Sequence, residues 1–224
     1  ILRQSVKPDK IILWLAEEQF PDRKLPEILN RQIDRGLTVN YGKDLRSHKK
    51  YYYSLLNYPK AKIITLDDDV YYPKDVIKNL IELHEEYPDL VVANRAHKIT
   101  VRNGKVNPYG NWKHNVGEIT PSHLLIATGI GGILYPPGVL NEEVFNAKLF
   151  KELCFHADDI WLKVMELKNG AIVATNRRFN KSFVSVGSTQ TQKLTSRNIL
   201  DGGNDVQLNN LLNHFKIDLL NYFR

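Results

Sequence analysis

Ile63, Ile64, Thr65, Leu66, Asp67, Asp68, Asp69 and Val70 form an apolar run that ends in three consecutive carboxylates. Like charges this close repel one another unless a cation or hydrogen-bond donors compensate them. A hard divalent ion held by one or two carboxylates, with substrate phosphates completing its octahedron, removes the conflict. Asp67 and Asp69 are two apart on extended chain and so face the same side. The competing reading is an acidic strand-to-helix turn, with Asp69 or a neighbour capping the helix that follows Pro73.

A second acidic group, Asp158 and Asp159, stands in Phe155-His156-Ala157-Asp158-Asp159-Ile160-Trp161 at the start of a helical stretch. Two acids in a first turn complement the helix dipole. Adjacent carboxylates also push their pKa values apart, which lets one of them serve as a general base. The sequence alone leaves both readings open. Residues 127–138, ATGIGGILYPPG, are a third feature: the glycines allow close backbone approach to a ligand or a tight turn between core strands. They lack the lysine and spacing of a phosphate-binding P-loop. Arg46, Lys49 and Lys50 lie on a helix shortly before the acidic strand, where a cation neutralises a diphosphate or simply faces solvent. His156 reads as a ligand, a base or the partner of the acids beside it, and His214 as structural. Trp112 and Trp161 read as core or as a platform for a sugar ring.

The elements that must position these residues follow from apolar period and from proline and glycine punctuation. Lys10–Ala16, Leu37–Asn40, Ala61–Leu66 and Leu90–Asn94 are short apolar runs that read as buried strands. Between them helical spacing runs from Pro26 to Arg35, stopped by Gly36, from Leu45 to Asn57, and from Pro73 to Pro88. Such alternation predicts an α/β domain with a mostly parallel central sheet flanked by helices. In that architecture ligands bind beyond the carboxyl ends of the strands, where Asp67–Asp69 fall. Residues 96–224 read as mixed α and β joined to the same sheet: an Asn103-Gly104 hairpin, strands at Leu124–Ala127 and Gly132–Tyr135, a helix at Ala157–Lys168 and one at Val206–Tyr222. Ser185–Asn204 reads as a surface loop or a lid. Ile1–Val6 reads as the tail of a helix, so the expected sheet lacks its opening strand within these residues.

The 224 residues, 42% hydrophobic and 25% charged, form the mix of one globular domain. Disorder, collagen and coiled coil are excluded, and the single Cys154 builds neither a disulfide framework nor a zinc site. The formal charge of +6 admits a phosphorylated substrate or an anionic membrane surface. Nucleic acid is not expected, because the Lys and Arg residues form no run interleaved with aromatics. No stretch approaches the ~20 apolar residues of a membrane helix.

Five pieces together, KPDKIILWL, RSHKKYYYSL, ITLDDDVYYPKD, GIGGILYPP and ADDIWLKVM, carry a resemblance, running from about Lys7 to Leu212, to a GT-A fold glycosyltransferase. The similarity is to the family 2-like bacterial enzymes of surface polysaccharide assembly. It implies a single GT-A domain over residues 1–224, with a nucleotide-binding half at about residues 1–95 and an acceptor-binding half at about 96–224. It also implies transfer of a sugar from a nucleoside diphosphate sugar, UDP-sugar foremost, to a saccharide or lipid-linked acceptor, with inversion. By the resemblance Asp69 coordinates Mn²⁺ or Mg²⁺, Asp67 holds the ribose or assists the metal, and Asp68 lies between them. Lys49 and Arg46 belong to the donor site, and Gly131 and Gly132 line donor sugar or acceptor. Asp159 is the base that deprotonates the acceptor hydroxyl, and Asp158 contacts acceptor or base. A cytoplasmic enzyme, peripheral at the inner face of the membrane, is the expected setting. Two rival readings use the same acids: a metal-dependent phosphatase or nucleotidyltransferase, and a non-catalytic sugar-binding remnant.

Overall fold

The computed structural model describes residues 1–117, 120–176, 178, 183–186 and 202–223. Strands β1 (Ile11–Ala16) and β2 (Leu37–Gly42) pair in parallel, from Ile11 opposite Leu37 to Ala16 opposite Gly42, with helix α1 (Glu27–Ile33) as the crossover. Pro26 precedes α1 and Gly36, at φ 104°, follows it, so a preset φ starts the helix and a left-handed glycine releases the chain. A 3-10 turn at Arg46–His48 leads into α2 (Lys49–Asn57), followed by β3 (Ile63–Thr65), the two-residue β4 (Val70–Tyr71) and α3 (Val76–Glu86). Next come β5 (Val91–Ala93) and β6 (Ala96–Lys98), then β7 (Val101–Arg102) and β8 (Lys105–Val106), joined by Asn103 and Gly104 at φ 52° and 70°. Positive φ at both central residues is what the expected Asn-Gly hairpin turn requires.

The remaining elements are β9 (Lys113–Val116), β10 (Leu125–Ala127), β11 (Ile133–Tyr135), α4 (Ala147–Leu153), α5 (Asp158–Lys168), β12 (Val173–Thr175), β13 (Val184–Ser185) and α6 (Gly203–Phe215). Of the expected lid, residues 187–201 lie outside the described residues. The expected last helix, Val206–Tyr222, is broken. Lys216 takes a left-handed φ of 55°, the Ile217 N–H donates to the Leu212 carbonyl at 2.9 Å, and a 3-10 turn at Leu219–Phe223 carries Leu219 into the core.

The chain is α/β, but its sheets are small and mixed rather than one mostly parallel sheet. The largest has the order β12-β5-β11-β3. β12 and β5 are parallel, whereas β11 runs antiparallel to both β5 and β3. Alternate residues of its strands face two cores. Val91, Ala93, Ile133, Tyr135 and Val173 pack in the large cluster with Ile160, Trp161 and Val164 of α5, while Val92, Leu134 and Ala174 pack on Leu80 and Leu83 of α3. β1 and β2 form a separate two-stranded sheet, and β10-β6-β9 a three-stranded antiparallel one.

No helix forms at residues 1–6, contrary to expectation. Gln4 is instead buried against α3: its Nε2 donates to the Pro73 carbonyl at 2.8 Å, and its Oε1 accepts from the Ile77 N–H at 3.1 Å. That amide would otherwise be one of the four unsatisfied donors of a helix start. Among the described residues no helix is long and apolar enough to cross a membrane.

Candidate functional site

The reversal of β11 decides where the chemistry gathers. β3 and β5 are both antiparallel to β11 and β12 is parallel to β5, so three strands end at the edge where β11 begins. Asp67–Asp69 leave β3 there, Asn94 and Arg95 leave β5, and Asn176 follows β12. The glycine stretch Gly129–Gly132 enters β11 at the same edge. A cleft of ≈ 1940 Å³ opens here, lined by Asp67, Asp68, Asp69, Asp158, Asp159 and Lys50 among others.

Lys50, on the first turn of α2, joins the two acidic groups. Its Nζ lies 2.9 Å from Asp67 Oδ1 and 2.7 Å from Asp158 Oδ2. Asp158 and Asp159 are neighbours at the N-terminus of α5, yet their surroundings differ. Burial works to raise the Asp158 carboxyl, but the Lys50 ammonium beside it holds it below the ordinary carboxylate range. Asp159 faces a neutral donor, the Gly129 N–H, at 3.2 Å from each carboxylate oxygen. Burial and then the charge of Asp158 push it up to about 7. The pair is therefore split as two adjacent acids should be when one is to carry a proton near neutrality.

Asp67 and Asp69 are half-buried and Asp68 is exposed, as the two-residue alternation predicts. The Asp67 N–H donates to the Tyr72 hydroxyl at 2.9 Å, which folds the chain beyond the strand back on itself. Burial, followed by the charges of Asp67 and Asp68, raises the Asp69 carboxyl. Among the described residues no three His, Cys, Asp or Glu side chains form a ready-made metal cage. A hard ion on a diphosphate asks for less, one or two carboxylates with phosphate oxygens completing the shell. The crowding of Asp69 by the Asp67 and Asp68 charges fits that demand.

His48 braces this region from beneath. It is fully buried and stacked on Phe150, with ring centroids 4.2 Å apart. Nε2 faces the Cys154 carbonyl at 3.0 Å and so carries the proton, which leaves Nδ1 to accept from the Tyr51 hydroxyl at 2.8 Å. Burial lowers its pKa to about 4, so the ring is neutral.

The other expected site residues divide. Arg46 and Lys49 both line the cleft, but the Lys49 ammonium is paired with Asp44, and the Arg46 guanidinium lies over the Phe155 ring, 5.3 Å from its centroid. Gly131 and Gly132 are buried beside the cleft, not in its wall. A Cβ on Gly131 would stand 2.5 Å from Arg95 Cβ, and one on Gly132 would stand 2.7 Å from Leu66 Cδ2. Both answer a packing need. Gly129 has the closest approach to the charged groups, since a Cβ there would collide with Lys50 Nζ and come within 3.0 Å of Asp67 Oδ1. Trp112 and Trp161 are core, His156 lines the cleft, and His214 is exposed on α6.

The sequence grouped Lys50 with its two neighbours and did not single out Asn94, Arg95, Gly129 or His48. The rule that flagged Asp67–Asp69, a polar residue just past a buried strand, also applies to Asn94 and Arg95. Asn94 is fully buried, accepts from Asn79 Nδ2 at 2.5 Å, and donates to the carbonyls of Val76 and Gly131 at 3.2 and 3.0 Å. It thus ties α3 to the glycine loop. No protein-family model matches the chain, and no curated protein matches it either.

Proposed function

We propose that this chain is a GT-A-like glycosyltransferase, moving a sugar from a nucleoside diphosphate sugar, UDP-sugars first, to a hydroxyl of a saccharide or lipid-linked acceptor in bacterial surface polysaccharide assembly. One observation carries the reading. Lys50 bridges an acidic strand end and an acidic helix start across a single cleft, and the carboxyl next to that bridge, Asp159, titrates near neutrality. A glycosyl transfer needs both functions within the length of one substrate: charge to receive a departing diphosphate, and a base for the incoming hydroxyl.

Asp69, with the Asp67 oxygen that Lys50 leaves open, would hold Mn²⁺ or Mg²⁺ on the diphosphate. When bound, the ion supplies Lewis-acid stabilisation to the leaving nucleoside diphosphate. Lys50 keeps Asp158 ionised and holds both the Asp67 and Asp158 carboxylates in place. Asp159 accepts the proton of the acceptor hydroxyl as it attacks the anomeric carbon, and the Gly129 N–H fixes the carboxylate's orientation. Inversion is the stereochemical course that suits a single base of this kind. The net charge of +6 suits an enzyme working at the inner face of an anionic membrane.

Isothermal titration with UDP-, GDP- and dTDP-sugars, with and without Mn²⁺, tests the proposal. Binding of at least one donor only when metal is present is the expected result. Heat from none of them under either condition sinks it.

A further inference from the structure

Arg95 lies in the same cleft and is not used by the chemistry above. It lies one residue beyond Asn94 past the end of β5, and its neighbours in the cleft wall are His97 on β6, Tyr109, His114 on β9 and Thr128 after β10. Its guanidinium is held at two points by neutral acceptors: Nε donates to Asn115 Oδ1 at 2.5 Å and Nη1 to Thr128 Oγ1 at 3.0 Å. Among the described residues Arg95 makes no ion pair, and its Nη2 has no hydrogen-bond partner. Asn115 adopts a left-handed φ of 51°, an arrangement asparagine tolerates better than most residues. In that position its N–H also donates to His97 Nδ1 at 3.1 Å. That bond places the His97 proton on Nε2. Burial, with Arg95 adding its charge, lowers the His97 pKa to about 3, so the ring stays neutral.

A partly buried cation with no counter-charge is costly, and natural sites compensate it with an anion. The guanidinium presents a planar fork already oriented by two hydrogen bonds, a shape that matches carboxylate or phosphate oxygens. The carboxylate whose charge reaches it is Asp159, which the reading above reserves for a proton.

We propose that Arg95, with the His97 Nε2–H beside it, binds a carboxylate or phosphate carried by the acceptor, so that the transferase acts on an anionic acceptor. This rests on the reading of Asp159 as the base for the acceptor hydroxyl. The donor diphosphate is assigned to Asp67, Asp69 and Lys50, which belong to other elements.

Saturation-transfer NMR with methyl β-D-glucuronide and its neutral counterpart methyl β-D-glucoside, on the protein with Mg²⁺ and UDP, tests this directly. The glucuronide should bind at least about tenfold more tightly, the size of one charge-assisted hydrogen bond. The preference should shrink as NaCl is raised and vanish in Arg95→Gln, with Mg²⁺–UDP affinity unchanged in that variant. Displacement by inorganic phosphate would identify a phosphate-bearing acceptor, and failure to displace a carboxylate-bearing one; either supports the site. Equal binding of the two glycosides by the unaltered protein, at any salt concentration, overturns the inference, and that measurement does not depend on Arg95→Gln folding. So does a loss of Mg²⁺–UDP affinity in Arg95→Gln, which would assign the arginine to the donor. If UDP binds and the glucuronide does not, this inference falls alone; if the glucuronide binds and no nucleotide does, the transferase reading falls instead.

Discussion

Asp158 and Asp159 share a helix turn and differ in one neighbour, and that difference sets their chemistry. Lys50 stands against the first, and a backbone amide against the second. Asp159→Asn should therefore leave metal-dependent nucleotide binding intact and lower turnover by about 10²–10⁴-fold, the usual contribution of a positioned base. Asp69→Asn should do the reverse, abolishing metal-dependent nucleotide binding in titration. Because Asp159 must be deprotonated to accept a proton, turnover should rise with pH through about 7. Lys50→Met removes a charge that lowers the Asp159 pKa, so the midpoint of any residual pH–rate profile should move above that of the unaltered protein. His48 gives a stability prediction. Its folded pKa of about 4 lies below the ordinary histidine value of 6.5, so the unfolded chain binds the extra proton between those values. Stability from this group is complete above about 6.5 and is lost as pH falls through 4, by about 3 kcal/mol at most. Asp159, raised by burial, acts in the opposite direction over an overlapping range. The His48 contribution is therefore read as the difference between the unaltered protein and His48→Gln in urea unfolding, and that difference should narrow toward acid pH.

The elements bring these residues together through one reversed strand and one glycine approach. β11 runs against its neighbours, so the loop before it meets the carboxyl ends of β3 and β5. Gly129 and Gly131 lie two residues apart in that loop and should respond differently to alanine. Gly129→Ala meets the flexible end of Lys50, which can move away at little cost to folding but leaves Asp67 and Asp158 unpaired. Nucleotide affinity should drop by about tenfold or more, the loss of one charge-assisted contact, with the urea midpoint little changed. Gly131→Ala meets the backbone of Arg95 and should cost about 1–3 kcal/mol of stability, as overpacking does. The glycines were conspicuous in the sequence, but which of them faces charge and which faces packing depends on Lys50 and Arg95, which arrive from other elements.

Over the whole molecule, α5 is the most deeply buried helix bearing site residues, and it carries an ion pair into the core. Lys163 Nζ lies 2.8 Å from Glu166 Oε2, with both side chains about fully enclosed. Lys163→Met alone would strand the Glu166 charge and should cost about 3–5 kcal/mol in denaturant unfolding, whereas adding Glu166→Leu should restore most of that loss. Such a pair was not legible beforehand, because a Lys and a Glu three apart on a helix ordinarily face solvent.

The α/β alternation, the Pro26 and Gly36 boundaries of α1, the Asn103-Gly104 hairpin and the acidic strand end were all determined by the sequence itself. Each depends on local φ preferences or on the period of apolar residues within a few turns of chain. Tertiary structure alone decided the split sheets, the reversal of β11, the capping of α3 by Gln4 and the Lys50 bridge. Those depend on partners up to 108 positions away, as Lys50 and Asp158 are, and no local pattern records which distant strand edge or carboxylate a residue will meet.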